Sequence, residues 1–371
     1  MLALLDGRTV FFVAVNTTGS PNLPVPHPVA AAALGLDLSG DVAFAAGMDV
    51  AALLGLPDLD ADLARVDLAL RDAVDVEGDP FLAEAAGHLV IAGGKRFRPA
   101  LTIASAAACG CGATNDVVLG GVACELMQVG SLYHDDVIDD AEVRRGVPSA
   151  NAKWGNVVAI LVGDYLLGKA SEIATDIGVE VAAVLARTLV RMCEGQVAEL
   201  QQTWSTARTR AQYERSIGGK TAALMAASCK VGALCAHADA DTVLALTSFG
   251  EAFGMAFQIY DDLADLLRTE EELGKPAGHD MEEGVYTLPV LVALADAVVG
   301  PELGALLGGP LSSDARMRAL SLVRSTDGPD VAKASGRSFA DAAAAALASL
   351  PDTPIKASLA SLGFELLASL D

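Results

Sequence analysis

An all-α fold, built as one large helical bundle, is what this sequence predicts, and three observations predict it. Ala and Leu dominate a chain of 371 residues that is 52% hydrophobic but only 5% aromatic. β-Branched runs are short, so intrinsic preference favours helix. Apolar residues recur at helical spacing from about residue 60 to the end, separated by short Gly, Pro or Asp breaks and without strand alternation. That much apolar side chain is ample for a large core, and packing helix on helix is how such segments bury it.

Taken in order, residues 1–58 stand apart. The stretch Thr17-Thr-Gly-Ser-Pro-Asn-Leu-Pro-Val-Pro-His-Pro28 is dense in residues that forbid regular structure, so a poorly ordered N-terminal extension is expected. Met48 opens Met-Asp-Val-Ala-Ala-Leu-Leu just ahead of the first helical pattern, and a reading frame that starts there is an open alternative to one that starts at Met1. Residues 59–371 are expected to form the helical domain. Its helices should lie near 60–77, 80–92, 98–109, 115–141, 154–176 and 178–204, then 208–236, 241–268, 286–298, 314–324, 328–348 and 356–370. No internal repeat of fixed period is visible.

Charge narrows the function. With 25 Lys+Arg against 48 Asp+Glu the formal net charge is -23, which repels a polyphosphate backbone and argues against nucleic acid as a partner. A phosphate-bearing ligand would need a few focused cations or metal ions. Six cysteines, at 109, 111, 124, 193, 229 and 235, sit mostly in Ala-rich apolar stretches and are expected to be reduced core residues; Cys109-Gly-Cys111 lacks the second Cys/His pair of a zinc site. No uninterrupted apolar run reaches the roughly 18 to 20 residues of a membrane span. The N-terminus lacks the basic start and apolar block of a signal peptide, so a cytoplasmic location is expected.

Two acidic clusters carry the chemistry. In His134-Asp135-Asp136-Val137-Ile138-Asp139-Asp140, Asp135 and Asp139 are one helical turn apart with Asp136 beside them, so three carboxylates are expected to converge. Asp261-Asp262-Leu263-Ala264-Asp265 repeats the spacing after the apolar segment Phe253–Tyr260. Like charges four residues apart destabilise a helix by some tenths of a kcal/mol each, so something should compensate for them. Hard oxygen donors suit Mg²⁺, which binds through one or two carboxylates plus substrate phosphates. A solvated acidic helix end explains one such cluster but poorly explains two with identical spacing, and the loop pattern of an EF-hand is missing.

The matching cations are concentrated. Gly93-Gly94-Lys95-Arg96-Phe97-Arg98-Pro99 places three of them behind a glycine pair, where backbone N–H groups and a guanidinium fork can hold a phosphate without metal. Arg144-Arg145-Gly146 follows the first acidic cluster; it either reaches the same phosphate or neutralises the aspartates. Lys220 lies in Ile217-Gly-Gly-Lys-Thr-Ala222, where two glycines inside a helical pattern, each about 1 kcal/mol worse than Ala, point to a local break that exposes carbonyls beside Lys220 and Thr221.

These pieces, with Val162-Gly-Asp164 and Gly274-Lys275-Pro276, arrive in an order that resembles the trans-isoprenyl diphosphate synthase (polyprenyl synthetase) family over residues 60 to 365. The resemblance implies a helical bundle around a central active-site cavity. It also implies condensation of isopentenyl diphosphate with an allylic prenyl diphosphate. On that resemblance Asp135, Asp136, Asp139, Asp261, Asp262 and Asp265 would hold two to three Mg²⁺ ions. Lys95, Arg98, Gln128 and Arg145 would bind isopentenyl diphosphate, and Arg144, Lys220, Gln258 and Lys275 the allylic diphosphate. Lys220 and Thr221 would face the developing cation, so these two with Asp135, Asp139 and Asp261 form the catalytic set. A homodimer is the family's habit, and peripheral membrane association would suit release of a lipid product. Departures are Tyr133 before His134, Gln128 in a position often held by His, and Val285 where many relatives carry Lys.

Small residues before the first acidic cluster, Gly130 and Ser131, are expected to let a growing chain pass, and Met127 further down the same face to bend or limit it without plugging the top. The product expected is an all-trans chain longer than C20, such as a quinone side-chain precursor; geranylgeranyl and farnesyl products are the alternative. A terpene cyclase would have no use for Lys95 and Arg98, and a non-catalytic partner subunit normally loses aspartates.

Overall fold

The computed structural model describes residues 53–269, 272 and 276–370. Sixteen helices, labelled in chain order, account for most of it. They are α1 (Leu59–Val74), α2 (Pro80–Ile91), α3 (Phe97–Ala108), α4 (Asn115–Ile138), α5 (Ala150–Trp154), α6 (Asn156–Ile177), α7 (Val179–Leu200) and α8 (Arg210–Ile217). A π-helical turn, Gly218–Ala222, leads into α9 (Ala223–Cys235) and α10 (Ala240–Leu267). The rest are α11 (His279–Glu282), α12 (Leu288–Ala295), α13 (Gly300–Leu306), α14 (Ser313–Arg324), α15 (Gly328–Ala346) and α16 (Pro354–Ala368). Between α4 and α5 an antiparallel hairpin pairs β1 (Val143–Arg144) with β2 (Val147–Pro148).

Local chemistry sets the ends. Thr114 caps α4 by accepting from Val117 N, Asp239 caps α10 by accepting from Thr242 N, and Thr209 with Gln212 forms a reciprocal capping box on α8. At its other end α4 stops at Ile138 rather than near 141, because Asp140 turns into the left-handed region at φ 50°. Gly155, at φ 85°, separates α6, which is the expected helix 154–176, from the short α5 before it, which was not expected. The hairpin and the short helices α11 and α13 were not expected; segments this short carry too little periodicity to register.

Close packing explains the abundance of Ala and Gly. α4 runs along α6, α9 lies against α3 and α10, and α10 also packs on α15. Interhelical distance is set by the side chains at the contact. A β-carbon on Gly130 would stand 3.0 Å from the Gly163 carbonyl of α6, and one on Gly254 of α10 would stand 2.5 Å from Ala222 Cα. Aromatic side chains fill the centre, where Phe253 lies between Phe249 and Phe97 with ring centroids 5.9 and 5.5 Å away. Burying a side chain of this size contributes about 1.5–3 kcal/mol.

By length and composition α10 passes as a membrane-crossing helix, which no uninterrupted run in the sequence suggested. Half of that stretch is buried against neighbouring helices and it carries Asp262 and Asp265 in the interior, so it is a core helix. Residues 1–52 of the expected extension lie outside the described residues. Leu54, which lies before residue 59, is fully buried in the main core.

Candidate active site

α4 and α10, 24 and 28 residues long, deliver the two acidic clusters to one place. Asp135, in the last turn of α4, and Asp139, its C-cap, line a cavity of about 700 Å³ together with Asp261 of α10. The rest of each cluster turns elsewhere. Asp136 is fully buried and accepts from Arg144 Nε at 2.7 Å, because the hairpin folds back under the end of α4. Asp262 is also buried, accepts from Tyr213 Oη at 2.5 Å and Gln258 Nε2 at 3.0 Å, and lines a smaller adjoining cavity of about 120 Å³. Asp265 accepts from the backbone N–H of Asp280 at 3.4 Å. Three carboxylates of α4 were expected to converge; two reach the cavity and the third is held by Arg144.

Electrostatics describe an over-supplied acidic site. Burial pushes the carboxyl of Asp139 up to about 6, with Glu283 and Asp135 adding to the rise and Lys220 opposing it. Burial likewise lifts Asp262 to about 6 despite its two hydrogen-bond donors. Asp135 and Asp136 are raised by burial as well, against Lys220 and Arg144 respectively. The second oxygen of Asp136 is buried with no hydrogen-bond partner.

Among the described residues no three His, Cys, Asp or Glu side chains form a ready-made metal cage. Hard oxygen donors, raised carboxyls and an unsatisfied buried carboxylate oxygen nevertheless fit Mg²⁺, whose coordination is normally completed by water and substrate phosphate. Asp135, Asp139 and Asp261, which line the cavity, are the residues that would hold such an ion beside a phosphate-bearing ligand.

Cations enter from three segments. Lys95 and Arg98 line the cavity at the start of α3. Arg145 and Gly146 form the turn of the hairpin with φ of 52° and 73°, the two-residue geometry suited to strand twist. Gly94, at φ 153°, lets the loop come so near that a β-carbon there would be 3.0 Å from the Arg145 guanidinium. Lys220 comes from the π turn. The expected break at Gly218-Gly219 is instead this wider turn inside a continuous helix, a form frequent at functional sites. Gly219 allows it to press on α7, since a β-carbon there would stand 2.7 Å from Arg191 O.

Lys220 Nζ donates to Glu199 at 2.8 Å. Burial alone would lower its ammonium, but Glu199 and Asp135 more than offset that and hold it above the usual lysine range. Thr221 Oγ1 donates to Gln258 Oε1 at 2.6 Å, and Gln258 passes the chain on to Asp262. Gln128 and Arg144 also line the large cavity, whereas Lys275 lies outside the described residues.

The expected chain-length residues separate. Ser131 lines the cavity and donates to Gln128 O at 2.9 Å. Gly130 faces α6 and Met127 is 1% exposed in the core, so neither lines it. The apolar wall comes instead from Leu132 of α4, Leu167 of α6, Leu189, Met192 and Val197 of α7 and Phe257 of α10. Tyr133 points away, donating to Ala85 O at 2.6 Å and tying α4 to α2. Val285 lines the smaller cavity, beside Arg208 and Asp280.

Several site residues escaped the sequence reading. Glu199, Tyr213 and Arg208 carry no spacing signal. Glu125 does carry one, as a single carboxylate in the apolar run Gly120–Gly130.

Residues 79–317 match the polyprenyl synthetase family. The nonaprenyl diphosphate synthase of Mycobacterium tuberculosis is 40% identical over 336 residues, spanning 88% of this chain and 95% of that protein. Heptaprenyl diphosphate synthase component 2 of Geobacillus stearothermophilus is 43% identical over 295 residues, spanning 79% and 91%. The polyprenyl synthase of Caulobacter crescentus CB15, solved with calcium and isoprenyl diphosphate, superposes with a TM-score of 0.80 at 32% identity, covering 86% of this chain and 98% of that one. The matched residues contain the basic loop, both acidic clusters and the π turn, and the chain belongs to the polyprenyl synthetase family.

Proposed function

We propose that this chain is a Mg²⁺-dependent prenyltransferase that condenses isopentenyl diphosphate with an allylic prenyl diphosphate, releases diphosphate, and makes an all-trans polyprenyl diphosphate longer than C20. The observation that carries it is the sharing of one cavity by Asp135, Asp139 and Asp261 on one side and by Lys95, Arg98, Arg145 and Lys220 on the others. Two phosphate-binding regions, one acidic and metal-requiring and one cationic, are what two diphosphate substrates need. The names of the relatives, nonaprenyl and heptaprenyl diphosphate synthases, support a long product.

Asp135, Asp139 and Asp261 would hold the metal, with Asp136 and Asp262 behind them; when bound, Mg²⁺ supplies Lewis-acid stabilisation of the departing diphosphate. Lys220 stands at the junction of the two cavities, where its ammonium can balance charge that grows as the allylic C–O bond breaks and its electron pair leaves with diphosphate. Gln258 and Thr221 orient polar atoms towards the same point. Lys95, Arg98 and Arg145 hold the second diphosphate so that the double bond of isopentenyl diphosphate attacks the allylic carbon. A proton then passes from the condensed product to the released diphosphate. Leu132, Leu167 and Leu189 keep the hydrocarbon dry while the cation exists.

Pairing of two copies belongs to the same proposal. Val157 and Leu161 on α6 and Val190 on α7 are 58–71% exposed, an apolar face that supports association. The relative named component 2 makes a different second chain the competing occupant. Light scattering of the purified chain decides between them.

The test of the activity is incorporation of labelled isopentenyl diphosphate into lipid by the purified chain, with allylic primers of several lengths. Products beyond C20 that appear with Mg²⁺ and vanish with chelator are expected. Incorporation that is indifferent to chelator, or a cyclic hydrocarbon product, would overturn the reading.

A further inference from the structure

We propose that Glu125 is a positioning residue that locks the basic loop to the hairpin turn and so sets the affinity for isopentenyl diphosphate. The inference rests on the prenyltransferase reading above.

Glu125 is 2% exposed and lies on α4 ten residues before Asp135, about 15 Å along the helix axis. Its neighbours in sequence are apolar or small. A carboxylate in such a place is unfavourable unless it is paired and hydrogen-bonded. Here two guanidiniums approach it: Arg96 Nη1 donates at 3.0 Å and Arg145 Nη2 stands 3.6 Å away. Both arginines are anchored from behind. Arg96 also donates to Asp67 at 2.6 Å and to Val90 O at 2.9 Å, and Arg145 donates to Leu89 O at 2.9 Å.

The two arginines belong to segments about 50 residues apart, the loop before α3 and the turn of the hairpin. Both backbones are left-handed at these points, φ 50° at Arg96 and 52° at Arg145, so neither conformation is one a non-glycine residue adopts without support. Glu125 supplies a shared anchor from a rigid helix. With Asp67 it holds Arg96, whose neighbours Lys95 and Arg98 line the cavity, and it stands beside Arg145, which lines the same cavity from the hairpin. The carboxylate acts through the arginines, on the separation of the two cationic walls. The allylic diphosphate site at Asp135, Asp139 and Lys220 lies at the far end of α4 and on the π turn.

Steady-state kinetics on the full-length chain, varying each substrate in turn, test this with Glu125→Gln and Glu125→Asp. Gln keeps the shape and loses the charge; it should raise KM for isopentenyl diphosphate about tenfold, the size of one lost charge-assisted contact, while KM for the allylic substrate and kcat stay within about twofold. Asp keeps the charge on a shorter stem and should recover part of the affinity. Equal changes in both KM values, tracking a lower melting temperature, would mark Glu125 as merely structural and overturn the inference. Unchanged KM values in both variants would overturn it too. Should the Gln protein not fold, the Asp variant carries the same test, with the same one-sided KM rise expected at smaller size. Wild-type turnover with no one-sided effect sinks this inference alone; absence of wild-type turnover sinks it together with the prenyltransferase reading.

Discussion

Gly195 of α7 touches the backbone of Lys220 so closely that a β-carbon on the glycine would stand 2.4 Å from the lysine nitrogen. Gly195→Ala must therefore push the π turn, and Lys220 with it, out of place. Overpacking of this kind costs about 1–3 kcal/mol, so the melting temperature should fall together with kcat. Gly168→Ala is the control, because nothing lies within 4 Å of a β-carbon there. Calorimetry and turnover of the two variants check the contrast.

The pH dependence of stability has a sign set by Asp262. Its carboxyl is raised by burial from 3.8 to about 6, so the folded protein holds a proton that the unfolded chain releases. The stabilising contribution is therefore full below about pH 4 and is lost as pH rises through 6, the reverse of an aspartate stabilised by an ion pair. With chelator present, wild type should gain about 1 kcal/mol more than Asp262→Asn on going from pH 7 to pH 5. Equal pH responses in denaturant melts of the two proteins would contradict this.

Chain length should respond to Ser131 and not to Gly130. Ser131→Phe places a ring in the cavity and should shorten the product, read by reversed-phase chromatography of the hydrolysed lipids. Gly130→Phe meets Gly163 O and Leu167 on α6 within 3.3 Å and should instead lower the yield of folded protein.

Cys193 offers a direct probe of occupancy. It is exposed and lines the cavity, whereas Cys124, Cys229 and Cys235 are buried, with thiols pushed up by burial to about 11, 12 and 12. Maleimide should label Cys193 first, since the thiolate is the reacting form and access decides its rate. A long allylic diphosphate with Mg²⁺ should slow that labelling, as measured by peptide mass mapping.

Much of this was legible in residues whose meaning is local. Asp135 and Asp139 announce themselves because helical periodicity fixes which positions share a face. The helix that carries them was readable for the same reason. The sequence leaves open whether Arg144 reaches a phosphate or neutralises an aspartate, because the hairpin that brings it to Asp136 is too short to show alternation. Gly130 looked like an opening in the cavity floor, but small residues in a helix serve close packing as readily as passage, and the rotation of α4 against α6 decides which. Glu199 and Tyr213 come from other helices, and no local pattern tells which distant side chains meet Lys220 or Asp262.

Lys220 already has an anion in hand. Because Glu199 holds it, the substrate capture proposed for this point would be an exchange of one negative partner for another. The measured affinity then reports the difference between two ionic attachments, and the released Glu199 is left behind as a returning competitor. On the proposed mechanism the same carboxylate would help product departure by taking back its lysine as the inorganic leaving group lets go.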